Sequence, residues 1–242
     1  MNLSQFLWML NGKALYFATL SEFDDEWEGK VTARFVESAR QGGVARANKF
    51  GVPEKATEVG SLHVWSKTKQ VQKNGEAYRY MCWHENREES IAMWKLYTQG
   101  KDGVAIQTTI ARMESCLSEL PYAGVGRVNY SGHEMDEGEK SSRNMPFTLL
   151  KRLSFAHEQE MRLRIHNYDR PELADVWGRE FSENKEGPRG GVVKIDIGHL
   201  IVRIVASPEY PAWAIPTLQS IVSSAGLAVK VETSDLLKSP PK

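Results

Sequence analysis

The stretch 147-FTLLKRLSFAHEQEMRLRI-165 predicts the strand around which the fold is organised. Read as an extended strand from Ala156 onward, successive side chains point to opposite faces. One face is mostly apolar and suits a core; it consists of Gln159, Met161, Leu163 and Ile165. The other face is charged and consists of Glu158, Glu160, Arg162 and Arg164. A helix over these residues would scatter the apolar side chains, so we expect a strand from Ala156 to Ile165.

The charged face of this strand has two interpretations. Neighbouring side chains on one strand face stand about 7 Å apart, so Glu158 and Glu160 repel by roughly 2.4 kcal/mol at an effective dielectric near 20. Arg162 on the same face offsets part of this repulsion, and Lys151 and His157 lie close by in sequence. The face is either a solvated edge with weak salt bridges or a cleft wall with catalytic or ligand-binding carboxylates.

The composition is that of an ordinary globular protein. The chain has 242 residues and no clear domain boundary, so we expect a single domain over residues 1–242. Basic and acidic residues number 31 each, and this balance gives no bulk field that would indicate a nucleic-acid or membrane partner. A local basic groove would not show in the sum, so a nucleic-acid partner stays open without support from the charge.

The cysteines and histidines do not form a metal-binding pattern. Cys82 and Cys116 are the only cysteines, and the six histidines are scattered without metal-ligand spacing. We therefore predict no metal site. The N-terminal segment lacks the features of a signal peptide, and the sequence contains no run of eighteen apolar residues. These observations predict a cytoplasmic protein with reduced thiols and no membrane association.

The order of apolar runs and turn signals predicts an α+β fold with a mixed, largely antiparallel β-sheet and flanking helices. Predicted strands cover residues 14–19, 78–83, 103–110, 124–130, 156–165 and 190–197. Predicted helices cover residues 31–50, 86–97 and 110–120. We expect the strands at 78–83, 103–108 and 156–165 to lie near each other in one sheet.

Four local signals refine this prediction. Gly42-Gly43 indicates an interruption of the helix at 31–50, and Asn74-Gly75 indicates a hairpin between strands at 61–72 and 77–84. In the tail, a helix that begins after Pro211 and ends at Gly226 would complete a C-terminal strand–helix–strand unit. In the helix at 86–97, the spacing predicts that Trp94 packs inward and that Tyr97 lines a cleft.

An acidic, aromatic loop follows the first strand. Asp24, Asp25, Glu26 and Glu28 crowd around Phe23 and Trp27. Such a loop can cradle a cation or a sugar, but acids also favour the positive end of a helix dipole, so a helix N-terminus is the alternative.

Several stretches of the chain, in the right order, resemble the motifs of the DUF2971 family, a bacterial family without an assigned function. LYFATLSEFDDEWEG resembles its "LYFS…FNDPFE" opening, and YMCWHENREESIAMWKLYTQGKDGVAI resembles its "CFS…MWxxYAxxHKGVCI" block. VNYSG is similar to a following V-x-Y, and KRLSFAHEQEMRLRI is similar to its "K…WxYExExR" block. The matching positions are Asp25, Glu28, Cys82, Met93, Trp94, Tyr97, Gly103, Tyr130, Lys151, Glu158, Glu160 and Arg162.

The chain departs from these motifs in the residues beside the matches. Asp24 and Glu26 stand where the family has Asn and Pro, and Trp83-His84 replaces Phe-Ser. Phe155 and His157 replace Trp and Tyr. If the family's serine takes part in chemistry, His84 must substitute for it.

The resemblance implies a bacterial phage-defence or toxin-type effector, and three activities fit its residues. The first is an ADP-ribosyltransferase-like enzyme that uses NAD as substrate, with Glu160 as catalytic carboxylate and Glu158 as its partner. Tyr97 or Trp94 would stack on the ligand, and Lys151 and Arg162 would contact phosphate. The further candidate binding residues are His84, Tyr130 and Asp25.

The second possibility is that the chain is a non-catalytic module, which binds a nucleotide or a partner subunit of a defence system through the same face. The third is a metal-dependent nuclease in which Asp25, Glu158 and Glu160 hold Mg²⁺ and Lys151 lies near the scissile phosphate. The usual acid-x-lysine pair is missing, because Arg162 stands at the position of the lysine.

Overall fold

A computed structural model describes residues 1–98, 101–120, 122–131, 147–166, 179–181 and 190–236. It confirms the predicted α+β fold, with mostly antiparallel strands and helices packed around them. The helices are α1 (Leu3–Gly12), α2 (Ala33–Lys49), α3 (Ala56–Glu76), α4 (Ile91–Thr98), α5 (Ile110–Leu117), α6 (Ile197–Leu200) and α7 (Ile215–Ser224). The strands are β1 (Ala14–Phe17), β2 (Tyr78–His84), β3 (Val104–Gln107), β4 (Gly124–Arg127), β5 (Asn129–Ser131), β6 (Leu150–Arg152), β7 (Glu160–His166), β8 (Arg179–Phe181), β9 (Gly191–Lys194), β10 (Arg203–Ala206) and β11 (Val231–Thr233).

The described strands form small sheets rather than one large sheet. One sheet has the antiparallel order β2-β7-β4, and a second has the antiparallel order β1-β9-β8. In the third, β10 lies between antiparallel β3 and parallel β11, and β5 pairs with β6 in a separate ladder. The prediction that residues 103–108 join the sheet of β2 and β7 is wrong. Strand β7 pairs with β2 along one edge and with β4 along the other, and β3 pairs with β10 instead.

The C-terminal strand–helix–strand unit is confirmed. Helix α7 connects β10 to β11 and carries Pro216 in its first turn, where proline is tolerated. The chain leaves the helix through Gly226 at φ +83°, the left-handed conformation that favours glycine after a helix.

The core lies where the sheets meet α1, α5 and α7. It includes Phe6 and Phe17, both fully buried, and the predicted apolar face of β7, with Met161 at 4%, Leu163 at 1% and Ile165 at 0% exposure. The period-two pattern in the sequence therefore identified the apolar, core-facing side of β7 correctly, while Glu160 and Arg162 on the opposite face are buried as well.

The strand at the centre of the fold begins later than predicted. Residues 153–158 form a 3₁₀ helix, Gln159 adopts φ +42°, and the strand starts at Glu160. The predicted alternation of side chains placed Glu158 next to Glu160 on one strand face, at about 7 Å. In the structure Glu158 lies outside the strand, so this arrangement is not formed. The turn instead folds Glu158 back toward Lys151 on β6.

The region between β1 and β2 differs most from the prediction. Helix α2 is continuous through Gly42-Gly43, and residues 56–76 form helix α3 rather than a strand and a turn at Asn74-Gly75. A Cβ atom on Gly43 would lie 2.6 Å from Cα of Gly60, so the glycine permits close packing of α2 on α3. This tertiary contact overrides the local turn signal. We refer to α2 and α3 together as the helical arm.

Candidate functional site

A buried ion-pair cluster lies at the junction of β6 and β7. The Nζ of Lys151 lies 2.5 Å from Oε2 of Glu158, 3.1 Å from Oε1 of Glu28 and 3.3 Å from Oε2 of Glu160. The three carboxylates come from the loop after β1, from the turn before β7 and from the first residue of β7. The aromatic ring of Phe155 lies 4.8 Å from the same ammonium group. One lysine therefore forms ion pairs with three glutamates from separate parts of the chain.

Arg162 is the second base of the cluster and is completely buried. It donates hydrogen bonds from Nε to Oε1 of Glu160 at 2.6 Å and from Nη2 to Oε2 of Glu160 at 3.0 Å, a two-point arrangement that fixes the carboxylate plane. Its Nη2 also donates to Glu28, and its Nη1 donates to the carbonyl oxygen of Thr148 at 2.6 Å. The ring of Phe23 lies 5.0 Å from the guanidinium carbon.

The cluster has one more acid than it has bases. Glu28, Glu158 and Glu160 face Lys151 and Arg162, so one negative charge is in excess when all five groups are ionised. Burial raises the pKa of Glu28, although Arg162 and Lys151 oppose the rise. Burial also acts to raise the pKa of Glu160, but its hydrogen bonds to Arg162 outweigh this effect and hold that pKa below its usual value. Glu160 is therefore held ionised, whereas Glu28 takes up a proton more readily.

A cavity of about 1360 Å³ lies in front of the cluster. It is bordered by β1, β2, β3, α1 and α4, and both Glu158 and Glu160 belong to its wall. Its aromatic lining residues are Trp8, Tyr16, Trp83, Trp94 and Tyr97. The volume exceeds the roughly 300–1,000 Å³ typical of small-molecule pockets. The carboxylates therefore form one end of a large aromatic cavity.

Most of the site residues predicted from the sequence belong to this region, in two layers. Those on the cavity wall are Glu158, Glu160, Trp94, Tyr97 and His84. Those in the layer behind it are Lys151, Arg162 and Tyr130. The hydroxyl of Tyr130 accepts a hydrogen bond of 2.6 Å from the backbone N–H of Glu160, which fixes the start of β7. Asp25 lies apart from the cavity wall, where Arg152 donates two hydrogen bonds of 2.8 and 3.1 Å to its carboxylate.

Trp94 and Tyr97 take different positions on α4. Trp94 is 6% exposed, and its indole N–H donates to Glu89 at 3.0 Å. Tyr97 is 53% exposed and adjoins the cavity. Its phenol has a raised pKa, first because the surrounding wall limits its hydration and second because the Glu158 carboxylate is near. The side chain is thus open to the cavity but only partly hydrated.

His84 connects β2 to the turn that carries Glu158. Its Nδ1 lies 2.6 Å from the carbonyl oxygen of Glu158, and because a carbonyl only accepts, Nδ1 must carry the hydrogen. In the neutral ring Nε2 is then an acceptor, and it is buried without a hydrogen-bond partner among the residues that the structure describes.

Three residues of this region were not included among the predicted site residues. Glu28 completes the cluster; its match to the family motif was a signal that could have identified it. Cys82 is opposite Arg162 in the β2–β7 register and is exposed to the cavity. Protein nevertheless surrounds most of its thiol, so burial raises its pKa, and the Glu160 carboxylate raises it further. Arg87 supplies a basic side chain to the cavity wall; no sequence signal distinguishes it from other exposed arginines.

The described residues contain no group of three or more histidine, cysteine, aspartate or glutamate side chains arranged to hold a metal ion. At the cluster, the carboxylate oxygens are bonded by lysine and arginine. Among the same residues, no helix has the length and apolar character needed to cross a membrane.

Comparison of the chain with protein-family models, with curated proteins and with solved structures found no match. The resemblance to the DUF2971 family therefore stays a prediction from the sequence.

Proposed function

We propose that this chain is a small-molecule enzyme in which Glu158 and Glu160 stabilise positive charge on a substrate bound in the cavity. NAD is the proposed substrate, in a reaction of the ADP-ribosyltransferase type. The observation that carries the proposal is the pair of carboxylates on the cavity wall, held by Lys151 and Arg162 in a cluster with one excess negative charge.

The chemistry that suits this wall is cleavage of the bond between nicotinamide and ribose. When this C–N bond breaks, its electron pair goes to the ring nitrogen and nicotinamide leaves as a neutral molecule. The ribose carbon develops oxocarbenium character until a water or an acceptor nucleophile bonds to it and gives up a proton. A preorganised carboxylate stabilises such a developing cation without having to reorganise. Glu160 is preorganised in this sense, because Arg162 holds both of its oxygens.

The bases of the site take a role different from phosphate contact. Lys151 is nearly buried and Arg162 is completely buried, and both are bonded to carboxylates. In the proposed enzyme they orient Glu158 and Glu160, and Arg162 keeps Glu160 ionised. The phosphate contact falls instead to Arg87 on the cavity wall, and the nicotinamide ring stacks against Tyr97.

A non-catalytic module that binds a nucleotide is the second candidate. It is favoured by the ion pairs themselves, because a buried network of this kind also serves to position a rigid binding wall. The nuclease alternative gains no supporting observation. Under either candidate we retain the proposal of a defence or toxin-type effector, tested by growth of bacteria that express the chain.

The test is release of nicotinamide from NAD by the wild type, by Glu160→Gln and by Glu158→Gln. We expect Glu160→Gln to lower turnover on the order of 100-fold or more, because it removes the fixed negative charge. Glu58→Gln, on the exposed surface of the helical arm, is the matched control and should act like the wild type. Equal turnover in all four proteins would refute the catalytic role.

Binding is measured separately by thermal shift with NAD and ADP-ribose. A ligand at 100 times its dissociation constant stabilises the fold by about 2.7 kcal/mol. Binding of NAD without nicotinamide release would favour the non-catalytic module. Arg87→Gln should weaken NAD binding but leave binding of nicotinamide riboside, which has no phosphate, unchanged.

A further inference from the structure

Strands β1 and β2 meet at one point and leave the cavity between them. The backbone N–H of Ala18 donates to the carbonyl of Tyr80 at 2.7 Å, and the N–H of Tyr80 donates to the carbonyl of Ala18 at 2.8 Å. This antiparallel bridge is isolated, and the two strands do not continue as a ladder. The cavity begins where their pairing ends, since Tyr16 and Cys82 both line it.

The outer edge of β2 presents unused backbone groups to this cavity. Along a strand, successive residues direct their N–H and C=O groups to alternate edges. Tyr80 is bonded to Ala18, so Cys82 and His84 point the same way, away from β7. The bond of 2.8 Å from the N–H of Glu85 to the carbonyl of Gln159 fits this alternation. Within the described part of the chain, the backbone groups of Cys82 and His84 have no hydrogen-bond partner.

Strand β1 shows the same alternation on its own outer edge. The carbonyl of Lys13 accepts from the N–H of Ile195 next to β9 at 2.9 Å, so Ala14 and Tyr16 direct their backbone groups away from β9. Both residues line the cavity. If the register of the Ala18–Tyr80 bridge is extended, Tyr16 is opposite Cys82 and Ala14 is opposite His84. Two open strand edges therefore border one cavity; we call the space between them the strand slot.

The charge of the cavity wall gives the chemical class of the occupant. The acidic side chains on the wall are Glu22, Glu88, Glu89, Glu158 and Glu160. The basic groups that the structure describes there are Arg87 and the amino terminus of Met1, and burial lowers the pKa of that amino group. Lys151 and Arg162 behind the wall leave one excess negative charge in the cluster of Glu28, Glu158 and Glu160, and Glu22, Glu88 and Glu89 outnumber Arg87 on the rest of the wall. The wall is thus negative overall and favours a positively charged occupant.

We propose that the strand slot binds an extended peptide segment of a partner protein that carries lysine or arginine at alternate positions. The peptide adds as a strand, and its backbone pairs with Cys82 and His84 on one side and with Ala14 and Tyr16 on the other. The side chains of Cys82 and His84 lie on the strand face that carries Glu160. Alternate side chains of the inserted strand point to this same face, and their positive charges meet Glu158 and Glu160.

The proposal goes beyond the proposed function and does not require that NAD be used. Edge strands left open toward solvent are unusual, because they invite pairing with another chain. An open pair of edges inside an acidic cavity restricts that pairing to a segment of complementary charge.

The test uses an array of peptides of about six residues, the usual length of a strand. Threonine and valine fill the odd positions, and the even positions are lysine, arginine, glutamine or glutamate. We expect the lysine and arginine peptides to bind and the glutamine peptides to bind at least about tenfold more weakly. Methylation of the backbone nitrogens of the best peptide removes its N–H donors at constant charge and should also weaken binding at least about tenfold.

The location of the peptide is measured by alkylation of the cysteines. A peptide in the strand slot should protect Cys82, while Cys116 on α5, which is not a lining residue of the cavity, serves as the internal reference. Cys82→Pro removes the backbone N–H that points into the slot without removing a ladder bond to β7, and should weaken binding if it folds. Equal binding of lysine and glutamine peptides, no effect of backbone methylation, or unchanged alkylation of Cys82 at saturation would each overturn the proposal. Loss of NAD turnover alone would leave it intact.

Discussion

Replacement of Arg162 by methionine tests the architecture of the buried cluster. The change removes the guanidinium hydrogen bonds, which are two to Glu160, one to Glu28 and one to the carbonyl of Thr148. It also removes the contact with the ring of Phe23. The excess in the cluster rises from one negative charge to two, because only Lys151 remains as a base. Removal of one partner from a buried ion pair costs roughly 3–5 kcal/mol. We therefore expect Arg162→Met to lose about that much free energy of unfolding at neutral pH.

The pH dependence of this loss follows from the pKa of Glu160. In the wild type that pKa is lowered by Arg162, so the stability that Glu160 contributes is present above the unfolded pKa and is lost as the pH falls through the folded value. In Arg162→Met, burial is no longer outweighed and the pKa of Glu160 rises. The variant then gains stability as the pH falls through the raised value, and the difference between the two proteins narrows toward acid pH.

The assay is urea unfolding of both proteins at about pH 5, nearer the ordinary titration range of carboxyl groups, and at about pH 8, well above it. Arg203→Met is the matched control, because Arg203 also donates two hydrogen bonds to one glutamate, at 2.7 and 2.9 Å to Oε2 of Glu232, but both side chains are about one-third or more exposed. A partly exposed pair contributes at most about 1 kcal/mol. A loss below about 1 kcal/mol for Arg162→Met, or a loss that is the same at both pH values, would refute the reasoning.

Two further predictions concern Glu28 and the helical arm. Glu28→Gln removes the excess charge, so at neutral pH we expect stability within about 1 kcal/mol of the wild type. Since the pKa of Glu28 is raised in the folded state, the wild type gains stability as the pH falls through that pKa, and the variant does not. The measurement is the free energy of unfolding in urea as a function of pH, and parallel curves for the two proteins would contradict the prediction. Gly43→Ala places a Cβ 2.6 Å from Cα of Gly60 and should cost about 1–3 kcal/mol in thermal unfolding. In the control Gly42→Ala the new Cβ has no neighbour closer than 3.6 Å, so an equal loss would contradict the close-packing explanation.

The sequence was sufficient where a feature depends on local order. The alternation of Met161, Leu163 and Ile165 identified the apolar, core-facing side of β7, because side-chain direction in a strand has a period of two. The order of elements in the tail and the end of its helix were predicted, since Gly226 acts through its own backbone conformation. The helix itself begins at Ile215, after a 3₁₀ turn at Ala212–Ala214 that follows Pro211.

The sequence was insufficient where a contact joins distant residues. Asn74-Gly75 is a local hairpin signal, but the packing of Gly43 on Gly60 decides in favour of helix α3. Glu28 is separated from Arg162 by 134 positions, and no periodicity indicates that they bond. The convergence of Glu158 and Glu160 was expected from a shared strand face. It arises instead from the left-handed turn at Gln159.

The attachment of the helical arm has a consequence for how this fold can vary. A Cβ on Gly29 would lie 2.5 Å from Cδ1 of Leu20, and a Cβ on Gly75 would lie 3.2 Å from the same atom. A residue shortly before the helical arm and a residue in its last turn therefore both lie next to the Leu20 side chain. The helical arm is thus a segment with adjacent ends, and the Ala18–Tyr80 bridge closes the rest of the fold beside it. Such a segment can be shortened to a tight linker or exchanged for another module without displacing β1 or β2, which makes this position the natural place to graft a reporter domain.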